Sequence, residues 1–228
     1  MSWAAERSEI VRRSLSIGID VAIYGVSFGA LGVTSGLSVG QTQALSLLMF
    51  TGASQFALVS TLASGGTALS AIAAALLLGT RNAAYSLRMR PILDLHGPSQ
   101  LLASHLTIDE STASALAQLA SSQRAQRLGF WSTGWAVFVF WNGATLLGAI
   151  TATAIGNPKA LGLDAAIAAG LFALVWPQIT NSQTLAVALG GSLVALVMTP
   201  VMPPGIPVLA AGVVAVIVGW SWSRRADI

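Results

Sequence analysis

From residue 14 to residue 80 the chain carries one charged side chain, Asp20, and from 128 to 223 it carries only Lys159 and Asp164. A soluble domain has about a quarter of its residues charged, whereas here the share is 8% and the hydrophobic share is 54%. A water-facing surface cannot be built from such stretches. Lipid is the solvent that fits them, so the expected fold class is an all-α integral membrane protein.

A helical crossing needs roughly 20 apolar residues. Hydrophobic segments lie at 15–36, 41–64, 68–87, 131–155, 165–179, 185–202 and 208–222, about seven in all and enough for six or seven transmembrane helices. Turn residues fill the short connectors at 36–40, 64–67, 156–162 and 202–207. Residues 91–127 are too polar for hydrocarbon; Pro91 and Pro98 are expected to break the chain there, with a surface or cavity-lining helix over 105–122. The single polytopic domain (1–228) thus divides into a first helical unit (14–90), a polar cytoplasmic connector (91–127), a central helix (128–156) and a second helical unit (162–223).

Basic residues sit at the segment ends, as positive-inside flanks do, rather than in a nucleic-acid patch. Arg7, Arg12 and Arg13 place the N-terminus inside; Arg88, Arg90, Arg124 and Arg127 do the same for the connector, and Arg224 and Arg225 for the C-terminus. The opening MSWAAERSEIVRRS reads as a cytoplasmic lead-in to a span rather than a cleaved signal peptide. The four later segments satisfy this orientation, but three early crossings would put the connector outside. Either one early segment is re-entrant, or part of 91–122 crosses, or the charge rule fails here. A three-segment internal repeat is a further expectation: laying 18–31 on 162–175 matches Gly18, Asp20, Ala22, Ile23 and Phe28 with Gly162, Asp164, Ala166, Ile167 and Phe172. Transporters often place their site where such repeats meet.

With no cysteine, disulfides, thiolate metal sites and thiolate nucleophiles are excluded; with only His96 and His105 a His-based metal cluster is not expected, nor is any cofactor. A membrane enzyme would need a nucleophile with its base, or metal ligands, and a channel would show polar rings along its pore helices. Neither pattern is present, so a transporter is expected rather than an enzyme.

The chemistry must then lie in the few intramembrane polar residues. Gly18, Gly25, Gly29, Gly32 and Gly36 share one face of the first segment, where another helix can approach closely. Asp20 is either a helix-end carboxylate paired with an arginine or a proton-coupling group; Asp164 has the same two readings, and opens a helix where a carboxylate is favoured. In FTGASQF (50–56), Gly52, Ser54 and Gln55 lie within an apolar run, where an unwound turn can coordinate a zwitterion or side chains can bond another helix. Arg81, beside Asn82, is either a bidentate holder of a substrate carboxylate or the partner of Asp20, Asp109 or Glu110. Asp109 and Glu110 are either solvated or proton-coupling. Trp141 and Asn142 lie inside the fourth span.

Taken in order, residues 24–31 (YGVSFGAL), 50–56, Asp109–Glu110, 141–148 (WNGATLLG), 162–164 (GLD) and 204–207 (PGIP) resemble the AzlC family, the large subunit of branched-chain amino acid exporters. The resemblance covers nearly the whole chain. It implies export of leucine, isoleucine, valine and in addition methionine from a bacterial cytoplasm, with the proton gradient as the drive. It also implies a small AzlD-like membrane subunit as partner. One departure stands out: around the intramembrane arginine the family tends to read Asn-Arg-His, whereas here it is Thr80–Arg81–Asn82.

Overall fold

The computed structural model describes residues 2–155, 172, 175, 176 and 179–226. Asp164 and most of the proposed second repeat copy lie outside the described residues, so the repeat gains no support here. The described residues are all-helical: α1 (Trp3–Thr34), α2 (Val39–Leu48), α3 (Ala53–Ala63), α4 (Ala68–Leu93), α5 (Pro98–His105), α6 (Asp109–Leu116), α7 (Gln123–Ile155), α8 (Ser182–Met198) and α9 (Ile206–Ala226). Two of these, α1 and α7, are long and apolar enough to cross a membrane. The seven expected spans therefore reduce, by length and hydropathy, to two clear ones among the described residues. Large apolar side chains nevertheless stand exposed on several helices, including Ile23, Leu76, Val139 and Leu147.

The bundle is organised on α1 and α7, which run parallel. The Arg124 guanidinium lies 4.2 Å from the centre of the Trp3 ring. Ser14 Oγ lies 2.7 Å from Ser132 Oγ and 2.8 Å from Thr133 Oγ1. Further along, Gly18 faces Ala136, Gly25 faces Trp141 and Ala144, and Gly29 faces Thr145 and Ala149. Both numbers rise together, so the N-terminal arginines and those at the start of α7 share one end of the bundle. The glycine face does the packing, as small residues let backbones approach. Gly32 belongs to it but meets Thr42 of α2, and Gly36 does not: it sits past the helix end with φ 95° and open space around it.

Parallel neighbours require the chain to return between them, and α4 makes the return. Its arginine-end carbonyls would be open, as at any helix terminus. Gln123 Nε2 and Arg127 Nε each donate to the Ile92 carbonyl at 2.9 Å. Pro91 does not break the chain as expected; it lies inside α4, which runs on to Leu93 and ends at Asp94 in the left-handed region. A proline this near a C-terminus disturbs only the last turn, and α7 supplies donors to that turn's carbonyls. Pro98 instead opens α5, at a position where its missing N–H is no loss.

The segment 41–64 is broken rather than continuous. Descending from the far end, α2 places Thr42 against Gly32 and Ser46 Oγ 3.2 Å from Thr145 Oγ1. At the break, the Phe50 ring meets Phe138 at 5.1 Å. α3 then climbs again, with Phe56 against Phe28 (5.5 Å) and Trp141 (6.3 Å). Beyond α3, Gly66 and Thr61 sit beside Pro204 and Gly205, at the far end. α2 and α3 form a V whose arms share one end of the bundle. α8 and α9 pack as an antiparallel pair, with Gly190 near Val214 and Gly191 near Ala211. α9 follows α4 in the same direction, since Gly205 meets Ser70 and Gly212 meets Leu77.

The connector is two short helices rather than one helix over 105–122. Leu106, Thr107 and Ile108 are buried between them, and Ser111 holds the turn: its Oγ accepts the Ile108 amide (3.1 Å) and donates to the Leu106 carbonyl (2.7 Å). α7 also starts earlier than the expected 128, taking in Arg124 and Arg127.

Candidate functional site

The apex of the α2–α3 V opens into a cavity of about 390 Å³. Its wall includes Val21 of α1, Phe50 and Gly52 of the break, Leu78, Arg81 and Asn82 of α4, Asp109 and Glu110 of α6, and Val137 and Trp141 of α7. Five elements far apart in sequence thus converge on one space.

The break has a local cause. Gly52 adopts φ 57°, ψ −96°, a conformation that a side chain would strain. Thr51 Oγ1 donates to the Met49 carbonyl at 3.0 Å. Gln55 Nε2 reaches back to the open end of α2, donating to the Leu45 carbonyl at 3.1 Å and the Ser46 carbonyl at 3.4 Å. On the α3 side, the amides of Gln55 and Phe56 both bond the Gly52 carbonyl. Those of Ala53 and Ser54 have no acceptor among the described residues, and the positive end of the α3 dipole lies at the cavity wall.

Arg81 is paired. Its Nη1 lies 2.6 Å from Asp109 Oδ2, with the side chains 39% and 29% exposed. Of the three alternative partners for Arg81, the structure selects Asp109. Asp109 Oδ1 is buried without a partner among the described residues, as are Trp141 Nε1, Ser54 Oγ and Gln55 Oε1. Glu110 is half-buried at the start of α6, outside the long apolar helices. Burial pushes its carboxyl above the ordinary range and adjacent Asp109 adds to this, against the lowering effects of its own backbone amide and Arg81.

The sign of the pH effect follows. A raised folded-state pKa means that the folded chain holds this proton more tightly than the unfolded chain, so the group lowers stability as pH rises past the unfolded value of about 4.3. Glu110→Gln should therefore raise the unfolding midpoint at neutral pH, and the gain should shrink to nothing as pH falls below that value. Thermal unfolding of both proteins across pH 4 to 8 checks this; a gain independent of pH would show that Glu110 is not desolvated.

The expected site residues divide clearly. Gly52, Arg81, Asn82, Trp141, Asp109 and Glu110 are brought together around the cavity. Gln55 is spent on the α2 carbonyls, and Ser54 is buried facing Gly79 of α4. Asn142 bridges helices: its Nδ2 donates to the Phe138 carbonyl (2.8 Å) and its Oδ1 accepts from Gln43 Nε2 (3.3 Å). Asp20 stands exposed on α1, outside the cavity, and forms no ion pair among the described residues; Arg13 pairs with Glu9 instead. Asp164 lies outside the described residues. Sequence reasoning missed the apolar wall, Val21, Phe50, Leu78 and Val137, because nothing distinguishes these from lipid-facing neighbours. It also missed His105, whose ring lies 5.9 Å from Phe50 and 5.7 Å from Phe138 under the break.

No match was found among curated proteins or solved structures. The AzlC protein family matches residues 16–155, the stretch from the first turns of the α1 glycine face to the end of α7, which carries nearly the whole cavity wall. That is more than half of the chain, and the chain belongs to the AzlC family.

Proposed function

We infer that this chain is the permease subunit of an exporter that moves leucine, isoleucine, valine and in addition methionine out across a bacterial inner membrane, using the proton gradient. The reading assigns it a small AzlD-like subunit as partner and a cytoplasmic N-terminus. The observation that carries it is the cavity at the helix break. Its volume, about 390 Å³, falls in the range of small-molecule sites, about 300–1,000 Å³. Its wall is mostly apolar, with an Arg81–Asp109 pair, Glu110, Asn82, Thr51, the Trp141 indole and the α3 N-terminus as its polar groups. Fixed charges of both signs beside an apolar wall suit a zwitterion with an apolar side chain. Burying such a side chain contributes about 1.5–3 kcal/mol.

In this reading α2–α3 is a re-entrant pair entered from outside, α4 returns to the cytoplasm and α7 crosses outward, which accords with the arginines at one end. Glu110 is the proton-coupling carboxylate best placed for the work, since it faces the cavity, and Asp20 is not. Asn82 also lines the cavity, so the departure at 80–82 alters the binding wall. A different small amino acid is therefore the second reading.

The test is efflux of labelled leucine, isoleucine, valine and methionine from preloaded proteoliposomes, with and without the small subunit. Saturable flux that needs both chains and follows an imposed pH gradient is expected. Absence of flux for all four, with both chains folded, would reject the cargo.

A further inference from the structure

The cavity offers two places for a carboxylate, and resting on the zwitterion reading above we propose that the ligand's carboxylate docks at the N-terminus of α3 against the indole N–H of Trp141, not on Arg81. Its ammonium then faces Asp109. Arg81 is the obvious holder by charge, but it already has an anion: its Nη1 is 2.6 Å from Asp109 Oδ2. A carboxylate arriving at the remaining N–H groups of Arg81 would sit beside the like-charged Asp109 carboxylate, which opposes it.

The α3 end is open. The Ala53 and Ser54 amides have no acceptor among the described residues, and Ala53 lines the cavity next to Gly52. Helix N-termini favour anions through these free amides and the dipole together. The second, independent observation is Trp141. It is 3% exposed, forms part of the same cavity wall, and its Nε1 has no partner among the described residues. Indole N–H is a donor only, and a buried donor usually finds an acceptor. Its ring is held by stacking on Phe28 at 6.2 Å and by the edge contact with Phe56. At the other side, the Asp109 carboxylate interacts with Arg81 and the Tyr85 phenol but keeps Oδ1 without a donor at hydrogen-bond distance, which an ammonium supplies. Among residues of the cavity wall, the unpartnered groups at one side, the Ala53 amide and the Trp141 indole, are donors and the one at the other, Asp109 Oδ1, is an acceptor, which sets the polarity of a zwitterion.

The test uses the full chain in lipid nanodiscs and three probes: leucine, leucinamide (no carboxylate) and 4-methylpentanoate (no ammonium). Trp141→Phe removes the donor and keeps a smaller aromatic ring against Phe28 and Phe56; the volume it loses is the same for all three probes. It should weaken leucine and 4-methylpentanoate about tenfold, the size of a hydrogen bond to a charged group, and leave leucinamide within about twofold. Ala53→Pro removes one amide at the first helical position, where proline is tolerated and Gly52 has no Cβ to clash, and should give the same pattern. Equal loss on all three probes, or no loss on any, would overturn this orientation while leaving the zwitterion reading intact. Wild-type protein that binds none of leucine, isoleucine, valine or methionine would overturn both.

Discussion

Gly29→Ala should prevent the chain from accumulating as a folded protein, while Gly143→Ala should fold as well as wild type. Both positions are helical glycines, and composition does not separate them. A methyl on Gly29 would be driven into the Thr145 carbonyl and the Ala149 amide of α7, and Gly148 is seated in the same way on the Val26 carbonyl of α1. The two helices interlock backbone on backbone. Overpacking usually costs about 1–3 kcal/mol because a flexible neighbour gives way; here the neighbour is a hydrogen-bonded main chain inside α7. Relief requires α1 and α7 to separate, which also opens the cavity wall between Val21 and Val137. A loss at or above about 3 kcal/mol is expected.

A Cβ on Gly143 meets nothing within 4 Å. Alanine there should be neutral or stabilising by about 0.5–1 kcal/mol, the helix-propensity difference. Unfolding midpoints of the two variants in detergent, with elution profiles as a check on monodispersity, decide the matter. Equal midpoints would mean that α1 and α7 do not make this contact.

What could be read from the chain divides along the range of the forces involved. The glycine face of α1 and the weakness at FTGASQF were legible because both are local: spacing sets the face, and small polar residues in an apolar run set the break. The partner of each face was not. Gly32 was grouped with glycines that meet α7 but meets α2, and Gly36 was grouped by spacing although it lies past the helix end. Periodicity runs through a helix terminus without registering it. Pro91 looked like a stop because its missing N–H is a local fact, whereas the donors that complete its turn come from Gln123 and Arg127, more than 30 residues away.

The acids show the same limit. Asp109 and Glu110 lie in the most polar stretch of the chain, where solvation is the ordinary expectation. Ser111 turns the backbone between two buried residues, Leu106 and Ile108, and so carries the acids to the cavity. Asp20, in the most apolar stretch, stands instead on an exposed face. For the early topology, charge alone left three answers open. The parallel contact of α1 with α7 required a return between them, and α4 with the V of α2 and α3 accounts for it.

Arg81 and Asp109 supply the second large effect, because their stability role and their transport role should come apart. Arg81→Gln leaves a carboxylate whose Oδ1 is already without a donor and whose Oδ2 loses its arginine. Removing one partner of a fully buried pair costs about 3–5 kcal/mol. This pair is 39% and 29% exposed, so a loss of about 2 kcal/mol is expected. Adding Asp109→Asn removes the stranded charge, and the Gln–Asn amides can bond each other; the double variant should regain most of the loss, a coupling of about 1–2 kcal/mol. Transport should not return, since the acceptor for the ligand's ammonium is gone. Unfolding midpoints for the four proteins of the cycle, beside leucine efflux from the same preparations, test both halves. A double variant no more stable than Arg81→Gln would mean that the pair does not hold α4 to α6. Recovery of efflux together with stability would mean that Asp109 serves only to neutralise Arg81, and that the ammonium is read elsewhere in the cavity, with Glu110 the remaining acid in its wall.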